Sequence, residues 1–137
     1  MSTRVGRSRV VLVVESDRLV AGALERSLRR RGFEVVAVHG VGEAEKRQGR
    51  FDVGIFAITL GDGSGVNLAA RLGGLGRVLH RVFVTANEPR AIVGRARQLG
   101  PVLSKSLGLN QIVDSVADVV APRSPAPPGV TPRSRNR

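Results

Sequence analysis

Short runs of consecutive apolar residues alternate along the chain with stretches whose apolar positions recur every three or four residues, and this alternation predicts strands interleaved with helices. RVVLVV (9–14) reads as a strand buried on both faces, and RLVAGALERSLRRRG (18–32) as a helix with Leu19, Ala23, Leu24 and Leu28 on its apolar face and Gly32 as its stop. EVVAV (34–38) predicts a second strand, and GEAEKRQG (42–49) a short polar helix. DVGIFAI (52–58) predicts the central strand, and GVNLAARL (65–72) a helix after the glycine loop. RVFVT (81–85) is expected to be the fourth strand, EPRAIVGRARQLG (88–100) a helix with Pro89 near its first turn, PVLS (101–104) the fifth strand and LNQIVDSVADVV (109–120) the last helix.

Such a sequence of elements points to one α/β domain: a parallel sheet covered on both faces by crossover helices, with function at the carboxyl ends of the strands. GGLG (73–76) follows a helix rather than a strand, so it is read as a flexible linker and not as a phosphate loop. The basic N-terminal extension (1–8) precedes a domain expected over 9–121. From residue 122 the chain turns to PRSPAPPGVTPRSRNR, which has little to bury and is expected to be a disordered tail, dispensable for folding.

Charge modifies this picture once it is located. Of the net +11, seven charges come from Arg4, Arg7, Arg9, Arg123, Arg133, Arg135 and Arg137, and residues 10–121 carry only +4. Nucleic-acid binding is therefore expected only through the tails. The chain has no cysteine, which excludes disulfides, thiolate metal sites and cysteine nucleophiles. The apolar run Val10–Val14 is too short for a signal-peptide core, and no run approaches the roughly 18 apolar residues of a membrane span, so a cytoplasmic location is expected.

Polar residues gather where the strands end: Glu15, Ser16 and Asp17 after the first, Thr59 and the Gly61–Gly65 loop after the third, Thr85 after the fourth, Lys105 after the fifth. A single polar residue at a strand end carries little weight; acid, hydroxyl and ammonium in one crevice look like a site. Other polar groups read as structural. Asp62 is assigned to the loop turn and helix approach, Asp17 to the first loop or helix cap, Asp52 to the wrong end of its strand, and His39 and His80 to the surface.

The order of these residues resembles the receiver domain of response regulators, from about Arg9 to Val120. VLVVESD is similar to that family's first strand and acidic pair, FDVGIFAITLGDGSG to the strand and loop around its phosphorylated aspartate, VFVTA to the strand ending in its hydroxyl, and LSKS to the strand ending in its lysine. The resemblance implies a flavodoxin-like, doubly wound sheet in the order 2-1-3-4-5. In the family an aspartate attacks a phosphoryl donor, Mg²⁺ held by the acidic pair, the aspartate and a backbone carbonyl two residues on neutralises the transferring group, and hydroxyl and lysine hold the remaining oxygens.

Carried over residue by residue, the resemblance makes a degenerate pocket of Glu15, Ser16, Ala57, Thr59, Thr85 and Lys105. The phosphoacceptor position is Ala57, which has no nucleophile. Ser16 replaces the second acid, which leaves Glu15 as the one residual candidate ligand, so Mg²⁺ binding is expected to be weak or absent and no other cofactor is implied. Val102 stands at the aromatic switch position and Ser106 where a proline is usual. With its aspartate missing, Lys105 is expected to turn to Glu15 or a backbone carbonyl.

The expected function is that of a stand-alone pseudo-receiver, a non-enzymatic, phosphorylation-independent interaction module with a signalling protein as partner. Two alternatives stay open: a nucleic-acid-associated regulator using the basic tails, and a phosphorelay receiver with a non-standard acceptor. The resemblance marks the fourth helix, fifth strand and fifth helix as the interaction face, where Arg90, Arg95 and Arg97 face Asp114 and Asp118 in an expected two-fold dimer.

Overall fold

A computed structural model describes residues 9–121; the expectations for the N-terminal extension (1–8) and the tail (122–137) lie outside the described residues. Five strands form one parallel sheet: β1 (Val10–Val14), β2 (Glu34–Val38), β3 (Phe51–Ala57), β4 (Val78–Thr85) and β5 (Val102–Ser104), in the order β2-β1-β3-β4-β5. The helices are α1 (Arg18–Arg30), α2 (Val41–Lys46), α3 (Gly65–Gly74), α4 (Arg90–Leu99) and α5 (Leu109–Val120). A minor hairpin with arms Thr59–Leu60 and Gly63–Ser64 sits between β3 and α3. The expected strand order is the one observed.

The period-two alternation of a strand sorts its side chains between two cores. Leu12, Val14, Phe56 and Phe83 face α2, α3 and α4, where Ala44, Leu68, Leu72 and Ala96 meet them. Val11, Val13, Val53, Ile55 and Val84 face α1 and α5, against Leu24, Leu28, Ile112 and Val116. Burial on both faces is why 11–14 and 53–57 read as continuous runs without a charged residue rather than as alternating ones.

Four element assignments change. The linker expected at Gly73–Gly76 is partly helix: α3 runs through Gly74, and the turn comes only at Gly76, whose φ of 73° closes the helix. At Gly73 a Cβ would lie 2.4 Å from the Arg81 guanidinium, the mobile end of a long side chain. β4 begins at Val78 rather than residue 81, because Phe51–Gly54 of β3 extend the ladder to Val78–Arg81. α2 is shorter than expected and ends at Lys46. α4 begins at Arg90 rather than residue 88, with Pro89 as the N-cap beside its first turn.

Leu19 was expected on the buried face of α1 and is 86% exposed. It precedes Leu28 by nine residues, about two and a half turns, which puts the two on opposite sides of the helix. Ala21, Leu24, Ser27 and Leu28 form the buried face instead. Leu19 lines an open apolar cleft with Val20, Ala23, Leu109 and Ile112.

The loop after β3 is folded back hard. Gly65 N–H donates to Ile58 O at 2.9 Å, and a Cβ on Gly65 would fall 1.8 Å from the carbonyl oxygen of Ala57. This approach seats the N-terminus of α3 on the end of β3. Gly65→Ala is therefore expected to cost about 3 kcal/mol or more in chemical denaturation. Gly74→Ala, at a helical position where a Cβ meets nothing within 4 Å, is expected to be neutral or to stabilise by roughly 0.5 kcal/mol.

Candidate functional site

The register of the sheet keeps the strand exits level. Val14 lies opposite Phe56, Ala57 opposite Val84, and Thr85 opposite Ser104. Just beyond these positions β1 passes into Glu15, and β5 passes into the 3-10 turn Lys105–Leu107. Glu15 N–H continues the ladder to Val38 O at 3.1 Å, so its side chain starts within the end of the sheet and the residue is buried.

Lys105 Nζ lies 3.0 Å from Glu15 Oε1; the Glu15 side chain is 5% exposed and that of Lys105 35%. The other carboxylate oxygen, Oε2, accepts the Asp17 N–H at 2.9 Å. β3 and β4 separate β1 from β5 in the sheet, so this ion pair spans the exits of the two strands between them, where Ala57 is buried. A buried carboxylate without a partner costs several kcal/mol, and the ammonium together with the Asp17 amide offsets that cost.

These residues do not fit a magnesium site. The single carboxylate of the expected ligand set has both oxygens engaged, Ser16 is exposed and has no charge, and Ala57 presents a methyl group. Among the described residues no three His, Cys, Asp or Glu side chains converge as metal ligands.

A second cluster lies at the exit of β4, and sequence reasoning missed its centre. Glu88 Oε1 accepts the Thr85 hydroxyl at 2.5 Å and the Ala86 N–H at 2.9 Å. Burial pushes the Glu88 carboxyl up, but the bonds from Thr85, Ala86 and Thr59 outweigh it and hold the group below its ordinary value. The available signal was the Thr-x-x-Glu spacing of Thr85 and Glu88 ahead of a helix, the spacing of a capping box.

The remaining acids have structural roles. Asp17 caps α1 by accepting the Leu19 and Val20 N–H groups at 3.0 and 3.2 Å. Asp52 accepts the Val10 N–H at 2.7 Å at the opposite end of the sheet. Asp62 lies in the turn between the arms of the minor hairpin, as expected, and its side chain has a further role. It reaches α2, some twenty residues away in the chain, and accepts the N–H groups of Val41 at 2.8 Å and Gly42 at 3.1 Å. Gly40 leaves room for it, since a Cβ there would stand 2.8 Å from Asp62 Oδ1. The two backbone donors hold the Asp62 carboxyl below its ordinary value.

His80 is exposed, but His39 is half-buried, with Nδ1 3.4 Å from Glu43 Oε1. Val102 is half-buried against the core on the α4 side. Of the charges assigned to the interaction face, Arg90, Arg97 and Asp118 are exposed. Asp114 pairs with Arg31 of α1 at 2.6 Å, and Arg95 donates to Asn67 of α3 at 2.6 Å. Both therefore already have partners within the chain.

A doubly wound sheet with acid, hydroxyl and lysine at its strand exits is the architecture of a signal receiver. The family model for the response regulator receiver domain matches residues 11–117, and the chain belongs to that family. Among solved structures it is similar to the non-phosphorylated HemR receiver domain from Leptospira biflexa, with 24% identity, a TM-score of 0.75 and coverage of 87% of this chain and 99% of that one. A CheY-like receiver domain protein from Methanospirillum hungatei JF-1 gives 19%, 0.74, 82% and 93%. The signal receiver domain of a modulated diguanylate cyclase from Desulfovibrio desulfuricans G20 gives 27%, 0.70, 83% and 94%. Comparison with curated proteins yields no match. Among the described residues no helix is long and apolar enough to cross a membrane.

Two measurements probe the crevice. Lys105→Met strands the Glu15 carboxylate and is expected to lower the stability read from urea denaturation by about 1–3 kcal/mol. Adding Glu15→Gln should recover part of that loss, because the stranded charge is then gone. Because the Asp62 carboxyl sits below its unfolded value, the folded chain binds fewer protons near that value. Its contribution to stability is thus full above the ordinary aspartate range and lost as pH falls through the lowered value. Asp62→Asn should remove this acid-side slope from stability measured against pH.

Proposed function

We propose that this receiver-family protein is a phosphorylation-independent interaction module of a signalling pathway, which engages its partner without undergoing phosphoryl transfer. Its chief support is chemical: the residue at the exit of β3 is Ala57, so in-line transfer has no attacking oxygen there. The Lys105–Glu15 pair above it supports the same reading, since both groups are committed to each other rather than to a metal or a phosphoryl oxygen. No turnover step is left for the crevice, and the module is proposed to be non-enzymatic.

The proposed contact surface is the face of α4, β5 and α5. Arg90 and Arg97 leave it cationic at α4, and Asp118 supplies an acidic position on α5. Exposed pairs of this kind contribute only about 0.2–1 kcal/mol each, so apolar contacts must supply most of the affinity. Val102 is β-branched and aliphatic, and it has no ring to swing between two positions in response to the crevice.

Incubation with acetyl phosphate, followed by intact-mass measurement and sedimentation, tests the proposal. The expected result is no added phosphoryl mass and the same sedimentation with and without donor. A phosphorylated species, or a donor-dependent change in association, would overturn it.

A further inference from the structure

At the exit of β4, where the receiver resemblance places a phosphoryl-binding hydroxyl at Thr85, a carboxylate of the chain itself is bound. Two donors at the end of β4, the hydroxyl of Thr85 and the N–H of Ala86, converge on one anionic group, and Thr59 after β3 helps hold the same carboxyl below its ordinary value. Convergent hydroxyl and amide donors define an anion-accepting pocket, and bonds to a charged acceptor are roughly twice as strong as neutral ones. The acceptor comes from the chain itself. Glu88 lies in the connection between β4 and α4, two residues before the first residue of that helix, and is half-buried.

The two carboxylates of the crevice are thus satisfied separately. Glu15 takes Lys105 and the Asp17 amide on the β1 side, while Glu88 Oε1 takes the Thr85 hydroxyl and the Ala86 amide on the β4 side.

We infer that Glu88 is the resident anion of this pocket, a tethered carboxylate that fills the anion-accepting end of the crevice and pins the connection leading into α4. Thr85 is thereby held toward the crevice, and residues 86–89 are fixed at both ends, by β4 on one side and by the carboxylate bonds on the other. A free anion meets a pocket already filled at high effective concentration, because the tether spans only three residues. The inference rests on the phosphorylation-independent reading in one respect: a permanent internal anion gives α4 a single setting without any donor.

Amide hydrogen exchange of the full chain, resolved by NMR, tests it with a different readout from the covalent modification assay. In Glu88→Ala the Ala86 amide is expected to exchange roughly ten- to a hundredfold faster than in the unsubstituted chain, which corresponds to loss of a charge-assisted hydrogen bond. Acetate on the order of 0.1 M should slow that exchange again by replacing the missing carboxylate, while chloride at equal ionic strength should not. Acetate should leave the Thr59, Thr85 and Ala86 amide shifts of the unsubstituted chain unmoved. Unchanged exchange in Glu88→Ala, an acceleration that acetate does not reverse, equal reversal by chloride, or acetate binding to the unsubstituted chain at these amides would each overturn the inference. Phosphorylation by a donor would sink the functional reading without altering any of these results.

Discussion

A sheet covered on both faces leaves polar chemistry almost nowhere to go except the ends of its strands. Val11–Val14 and Val53–Ala57 are buried throughout, so an ionised group placed along them would lose its water without a partner. Everything polar about this domain follows from that constraint. Asp52 occupies one end of the sheet and bonds Val10 there, while Glu15, Thr59, Thr85, Glu88 and Lys105 occupy the other. The parallel register then makes the second group a single crevice, because β1, β3, β4 and β5 end level although they begin at different heights.

Within that crevice the number of carboxylates decides the chemistry. Two acids beside an acceptor aspartate, the set that the receiver resemblance implies, concentrate negative charge that one lysine cannot balance, and a divalent cation is the natural remedy. Here Ser16 and Ala57 remove two of those charges. Glu15 and Lys105 then balance one against one, in contact at 3.0 Å. An aspartate restored at position 57 would enter a buried position and compete with Glu15 for the same ammonium, so that single change does not rebuild the site.

Much of this was legible in the sequence, because strong constraints leave strong patterns. The double burial of β1 and β3 writes continuous apolar runs, the crossovers write amphipathic spacings, and the strand-end residues Glu15, Ala57, Thr85 and Lys105 follow in an order that few folds share. Boundaries were less legible where tertiary contact overrides local preference. Gly73 and Gly74 look like a linker, yet α3 runs through both and turns only at Gly76. Leu19 looks like core because it is leucine, although its turn of the helix faces outward. Least legible were contacts made across the chain, such as Asp62 on α2, Arg31 on Asp114 and Arg95 on Asn67, for which no local spacing gives a sign.

Those cross-chain contacts bear on how the domain can meet another protein. An ion pair or hydrogen bond made within the chain lowers the gain from making the same bond to a partner, since the first must be broken. Asp114 and Arg95 are committed in this way, to α1 and α3, whereas Arg90, Arg97 and Asp118 are exposed. A reciprocal dimer built on all five charges would therefore give up two internal contacts for each protomer. A partner that brings an acidic surface to Arg90 and Arg97 makes no such demand, and it would approach α4 at the helix whose N-terminal connection the Glu88 carboxylate holds in place.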